Sequence, residues 1–201
     1  PHQTYKKLIQ TVTYIPHFVS WVTVAGLFYL FLSTDRSGLV NNILELFGKE
    51  RYSYMQDARF FLPFLVISQT WKEVGWGTII YLASLAAIDP QMYEAATVDG
   101  AGRWKHCLYI TLPSLLPTTS VLLIFALGKM FTSNFDQIFN MQNTLIRSKT
   151  DTLNIHTYYR GVVYQQYAYA AAVGLFQGVI SLMLVLATNY ATKKLSDTGV
   201  F

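Results

Sequence analysis

Two groups of residues in this sequence have the types and spacing to do chemistry. The first is Ser68-Gln69-Thr70-Trp71-Lys72-Glu73, a polar run in the middle of an apolar stretch. Gln69, Glu73 and Trp76 fall at i, i+4 and i+7 and share one helical face, with Trp71 and Lys72 beside them. Charges at membrane depth are expensive and usually face a bundle interior or a watery path. Two readings follow: a wall of a translocation pathway, or a structural pair with a neighbouring helix. A third use would be Lys72 and Glu73 as the intramembrane ion site of a secondary transporter or channel. The second group is Glu94-Ala95-Ala96-Thr97-Val98-Asp99-Gly100, followed by Ile110-Thr111-Leu112-Pro113. Asp89 is a good N-cap and Pro90 suits the first helical position, so a helix starts there. Gly100 supplies the positive φ that ends it, and a second short helix is expected over about 101–110. Pro113 then suits the first turn of the next element. A helix, a glycine corner and a helix make a rigid knob fit to transmit motion to a partner; the plainer reading is an amphipathic connector.

No catalytic constellation accompanies them. The sequence has no G-x-x-x-x-G-K-[ST], H-E-x-x-H, C-x-x-C or G-x-S-x-G pattern. His2, His17, His106 and His156 are scattered, and the single cysteine, Cys107, has no base placed by sequence and permits no internal disulfide. The chain is therefore read as a non-enzyme with no cofactor or metal of its own.

The elements that hold these residues are apolar. Of 201 residues 52% are hydrophobic, 15% aromatic and only 13% charged, against about 25% charged in a typical soluble domain. Mean hydropathy is +0.30. This composition predicts an all-α polytopic membrane bundle, and the net charge of +4 carries no nucleic-acid patch. Four spans are expected, at 10–32 with a kink at Pro16, at 60–88, at 112–131 and at 165–191. Residues 33–59 read as a polar connection holding a short amphipathic piece ended by Gly48, lying on the membrane surface. Residues 132–164 read as a polar loop with Asn134 near its start. Tyr158, Tyr159, Arg160 and Tyr164 near its end suit an interfacial belt, or a hydroxyl-rich ligand. Gly174 and Gly178 form a G-x-x-x-G suited to close helix contact, within the subunit or with a sister subunit. Four spans put both termini and the 89–111 loop on one side. Lys6, Lys7, Arg103, Lys105, Lys193 and Lys194 on that side balance Arg36, Lys49, Arg51, Arg59, Arg147, Lys149 and Arg160 on the other, so charge does not orient the chain.

The spacing EAA, three residues, G, nine residues, I, one residue, LP resembles the cytoplasmic EAA loop of permease subunits in ABC importers, at every position over 94–113. Tyr14-Ile15-Pro16-His17-Phe18-Val19-Ser20-Trp21, and the stretches WKEVGWGTIIY from Trp71, YEAATVDGAGRW from Tyr93 and AVGLFQ from Ala172, are similar to carbohydrate-importer permeases. They point to the branch that includes lipoprotein-type and polysaccharide-fragment permeases. The resemblance implies a permease of about six spans, of which this sequence holds the last four. Residues 1–201 would form one transmembrane permease domain with 89–111 as its cytoplasmic coupling loop. It implies a multi-pass protein of the bacterial cytoplasmic (inner) membrane. Its partners would be a second permease subunit, two ATP-binding subunits that hold ATP and Mg, and an extracytoplasmic solute-binding protein that delivers an oligosaccharide. Glu94 and Asp99 would make polar contacts in the ATPase groove, Ala95 and Ala96 would allow close approach, and Gly100 would turn the chain. The candidate pathway residues are Gln69, Trp71, Lys72, Glu73, Trp76 and Asn134. Lys72, if it faces the pathway, could offset a uronate carboxylate of an alginate- or pectin-derived fragment; neutral sugars fit equally.

Overall fold

The computed structural model describes residues 2–132 and 134–196. The side chains of His2, Gln3, Lys6, Leu195 and Ser196 are not described, so the interfacial role expected of Lys6 and the tail after 196 lie outside the described residues. Every regular element among the described residues is helical. In chain order the α-helices are α1 (His2–Phe18), α2 (Trp21–Leu32), α3 (Leu39–Leu46), α4 (Ala58–Ala86), α5 (Pro90–Val98), α6 (Arg103–His106), α7 (Leu112–Gly128), α8 (Phe135–Met141), α9 (Arg147–Thr150), α10 (Leu153–Tyr158) and α11 (Tyr167–Ser196). Among the described residues two stretches are long and apolar enough to cross a membrane alone, Arg103–Gly128 and Tyr167–Lys194. The pair Lys7–Phe18 and Trp21–Leu32 makes a third if taken as one broken span. At 29 residues α4 is long enough, about 43 Å at 1.5 Å per residue. Its polar middle is what lowers its hydropathy.

The chain divides into two compact units. The first comprises Pro1–Gly75 and Thr132–Ala170. The single kinked helix expected over 10–32 is instead two helices bent by 101° at a break after Phe18. Pro16 lies in the last turn of α1, and Ser20 starts α2 afresh, its Oγ accepting from Thr23 N at 3.2 Å. A proline near one helix end and a capping serine near the next turn a kink into a corner. The polar loop expected over 132–164 is likewise corrected. It folds into α8, α9, α10 and a π turn at Tyr159–Val163. Its Ile138, Met141, Ile146 and Ile155 are buried with Ala25, Met55, Phe61 and Leu65 in one core. Alternating polar residues concealed this apolar content. Phe61, Met141 and Ile155 are fully buried, each worth roughly 1.5–3 kcal/mol against exposure to water. Tyr158 packs edge-on to Phe139 at 5.1 Å, and the Arg147 guanidinium lies 3.5 Å over the Tyr159 ring. Tyr158 and Tyr159 are therefore part of a packed cluster, while Tyr164 is exposed.

The connection over 33–59 is pinned by side-chain amides and one arginine. Fully buried Asn41 donates to Ser33 O at 2.7 Å and accepts from Tyr52 N at 2.9 Å. Arg51 donates to the carbonyls of Thr34 and Asp35 and reaches Asn42 Oδ1 and Glu45 Oε2. Tyr52 donates its hydroxyl to Asp57, and Arg59 N donates to Asp57 Oδ1 at 2.8 Å. The tyrosine bond first, then the backbone bond, lower the Asp57 pKa below the usual carboxylate range. The same bond, with the carboxylate's charge, raises the Tyr52 pKa. A depressed carboxylate contributes stability above its unfolded pKa of about 4 and loses it as pH falls through the folded value. A raised phenol contributes below about 10 and loses it as pH rises through the folded value. The 52–59 corner should thus loosen at both extremes. Exchange of the Arg59 amide should accelerate below about pH 4, and Tyr52→Phe should flatten that acid limb. An unchanged limb in Tyr52→Phe would show that the hydroxyl does not set it.

The second unit comprises Trp76–Phe131 and Ala171–Phe201. The separate helix expected over 101–110 is corrected to one continuous helix, Arg103–Gly128, which widens to a π turn at Cys107–Thr111 where Leu112 N donates to Cys107 O. Pro113 and Pro117 bring no N–H to the ladder, and hydroxyls take up carbonyls around them. Ser114 donates to Ile110 O at 2.7 Å, Thr111 to His106 O at 3.3 Å and Thr119 to Leu115 O at 2.9 Å. A Cβ built on Gly174 or Gly178 meets nothing within 4 Å, so the G-x-x-x-G forms no close contact among the described residues.

Candidate functional site

The first site is the corner between α1 and α2. Where α1 stops, its last carbonyls lack helical partners. Lys72 of α4 reaches one of them: its Nζ donates to His17 O at 2.6 Å. A cation at a helix C-terminus is stabilised by the dipole as well as by the bond. That explains how Lys72 can be 95% buried, at 5% exposure. Its ammonium also sits 5.6 Å from the Trp21 ring centre. The next residue, Glu73, places Oε2 3.2 Å from His17 Nδ1. Consecutive residues of α4 therefore hold one residue of α1, Lys72 by its backbone and Glu73 by its ring. Gly75 makes this approach possible, because a Cβ there would stand 2.1 Å from Thr13 O.

Beside the corner lies a cavity of about 430 Å³ lined by His17, Ser20, Trp21, Lys72, Asp136 and Asn140, among others. A cation, a carboxylate, an amide, a hydroxyl and an indole around one space suit a hydroxyl-rich ligand. Of the candidate pathway residues, Lys72 alone lines it. Glu73 adjoins it through His17. Gln69 is half-buried, with Oε1 shielded and without a hydrogen-bond partner among the described residues. Trp71 is 47% exposed, its ring 6.3 Å from that of Phe28. Trp76 is exposed and belongs to the second unit. Asn134 is exposed and holds φ +64° at the start of α8, so its position is conformational. Asp136 and Asn140, one helical turn apart on α8, were missed as site residues. Their i, i+4 spacing was visible, but only a helix makes it mean a shared face. Lys72 and Glu73 do not pair with each other as an ion site would ask; both turn to His17.

The second site is the helix–corner–helix of 89–111. Asp89 caps α5 as expected, accepting from Gln91 N at 2.9 Å, with Pro90 in the first turn. Gly100 holds φ +74°. The amides of Asp99, Gly100 and Ala101 close the end of α5 onto the carbonyls of Ala95, Thr97 and Ala96. No residue of α5 is buried: Glu94, Ala95, Asp99 and Gly100 are exposed and Ala96 is half-buried. Val98 at 88% and Trp104 at 80% exposure add large apolar surface to the knob.

A profile described as "Binding-protein-dependent transport system inner membrane component" matches residues 2–196. Protein LplB of Bacillus subtilis (strain 168) is 41% identical over 197 residues, 98% of this chain and 62% of LplB. The polygalacturonan/rhamnogalacturonan transport system permease protein YteP of the same organism is 38% identical, over 98% of this chain and 61% of YteP. This chain thus spans about three fifths of the length of these curated relatives. A crystal structure of a bacterial alginate ABC transporter, in complex with an alginate pentasaccharide-bound periplasmic protein, superposes with a TM-score of 0.90. It is 38% identical and covers 98% of this chain and 68% of that one. An all-helical chain with apolar spans, an exposed EAA corner and a profile match over nearly its whole length belongs to the family of binding-protein-dependent transport system inner membrane components.

Proposed function

We propose that this chain is a pore-forming subunit of an ATP-driven oligosaccharide importer in the bacterial cytoplasmic (inner) membrane. Residues 1–201 act as one permease domain, with 89–111 as the cytoplasmic coupling loop. The observation that carries this reading is the exposed knob: an unburied, capped helix turned by Gly100 at +74°, with EAA spacing. Glu94 and Asp99 contact an ATP-binding subunit there, Ala95 and Ala96 let it approach, and ATP and Mg stay with that subunit. ATP binding closes two such subunits and favours one pore state over the other. Within Tyr167–Lys194 only 6% of the most apolar window is buried, which supports lipid and a second permease subunit as neighbours. A solute-binding protein delivers the ligand from outside, as the periplasmic protein in the alginate transporter structure suggests.

The ligand is an oligosaccharide, and an acidic one is favoured. Support comes from the names of YteP and of the alginate transporter, and from a buried cation at the cavity of the first unit. Lys72 offers the remaining N–H donors of its ammonium to a uronate while one holds His17 O. Gln69, Trp71, Glu73 and Asn134 are the further pathway candidates of the first unit, and Trp76 is a candidate of the second.

The test is uptake and substrate-stimulated ATP hydrolysis by the full assembly, with uronate and neutral oligosaccharides compared. Lys72→Met should lower uptake of the uronate relative to the neutral sugar by about tenfold, the range expected for one hydrogen bond to a charged group. Equal losses for both sugars would make Lys72 a purely structural cap. Absence of stimulation by any oligosaccharide in the unaltered assembly would overturn the importer reading itself.

A further inference from the structure

Between the knob and the membrane helix of the second unit lies a side-chain connection that the EAA spacing does not include. Tyr93, immediately before Glu94, is half-buried on a helix with no buried residue. Its hydroxyl lies 2.9 Å from Thr111 Oγ1, and its ring meets that of His106 edge-on at 5.8 Å and 70°. Thr111 spends its own proton on His106 O, 3.3 Å away. A threonine hydroxyl has one proton, so Tyr93 is the donor in the first bond. The bonds run in one direction, from Tyr93 O–H to Thr111 O–H to His106 C=O.

The π turn makes the chain of bonds possible. In an α-helix a threonine hydroxyl turns back to the carbonyl four residues earlier; here Thr111 reaches five back, across the widened turn at Cys107–Thr111. Such turns recur at functional positions. Along the backbone, α5 connects to Arg103–Gly128 through Gly100 with φ +74° and exposed Gly102. A glycine corner bends under load. Two helices bridged by a hydroxyl pair and an aromatic contact move as one body.

We propose that Tyr93, Thr111 and His106 are the positioning residues that make α5 rigid with the start of Arg103–Gly128, so that displacement of the knob becomes displacement of the membrane helix. The inference rests on the importer reading and adds the route of transmission. Tyr93→Phe and Thr111→Val remove the hydroxyls and keep the shapes. In the complete transporter each should raise ATP hydrolysed per sugar imported by about fivefold, the factor one lost neutral hydrogen bond gives in a two-state equilibrium. The double variant should be no worse than either single one, and Thr111→Ser should restore the unaltered ratio. ATP-binding subunits should copurify as before. An unchanged ratio in both single variants overturns the proposal, as does loss of copurification, which would make the pair part of docking. Failure of the unaltered chain to bind ATP-binding subunits would instead sink the importer reading.

Discussion

Gly75→Leu is expected to separate α1 from α4 and to abolish uptake, whereas Gly77→Leu, two residues on, is expected to do neither. A Cβ at 75 would lie 2.1 Å from Thr13 O and 2.8 Å from Thr13 C, with Tyr14 Cδ1 at 3.1 Å. The two nearest atoms are backbone and cannot swing aside, so α1 itself must move. Overpacking of a close-packed seam costs about 1–3 kcal/mol for a few atoms, and a leucine adds several more. The displacement falls next to the His17 contacts, which operate at 2.6 Å to Lys72 and 3.2 Å to Glu73. Hydrogen bonds weaken steeply beyond their normal range, so both should go. The buried ammonium of Lys72 would then lack its carbonyl, a further loss of about 1–3 kcal/mol. Thermal denaturation of the purified protein in detergent should show Gly75→Leu melting far below the unaltered chain. Gly77, whose Cβ would meet nothing within 4 Å, is the control. Equal melting of the two variants would mean that α1 does not sit on α4 at Gly75.

The second large effect is expected at the knob. Gly100→Val should remove most substrate-stimulated ATP hydrolysis while Gly100→Asn retains much of it. Space is not the issue, because a Cβ at 100 meets nothing within 4 Å. The issue is φ at +74°. That conformation costs roughly 1–2 kcal/mol for an ordinary L-residue and more for a β-branched one, whereas asparagine enters it readily. Valine would therefore drive the corner to negative φ and swing α5 away from the direction in which it presents Glu94 and Asp99. Gly102→Ala makes the comparison sharper, since Gly102 has φ −82°, open to any residue. If Val and Asn at 100 behave alike, the positive φ is not what the coupling loop needs. If Gly102→Ala fails with them, a small residue rather than a turn is what the partner requires.

These two glycines divide what could be known beforehand from what could not. The turn at Gly100 was legible because its causes are neighbours: Asp89 and Pro90 start α5, and Gly100 stops it within a dozen residues. The helical class, the lengths of α4 and α11 and the amphipathic α3 were legible for the same reason, since periodicity and capping act over one or two turns. The EAA spacing itself carried the family resemblance, which the profile match over residues 2–196 bears out. By contrast, Gly75 and Gly77 look alike in the chain, and only the position of Thr13 distinguishes them. The helices of 132–164 were not legible because their core partners lie far along the chain. Ile138, Met141, Ile146 and Ile155 bury against α2 and α4. Lys72 was recognised as costly, but its partner is a backbone carbonyl 55 residues away, and a carbonyl carries no sequence signature. Side-chain identity sets local conformation through short-range sterics and hydrogen bonds. Which buried group meets which is decided only when distant segments pack.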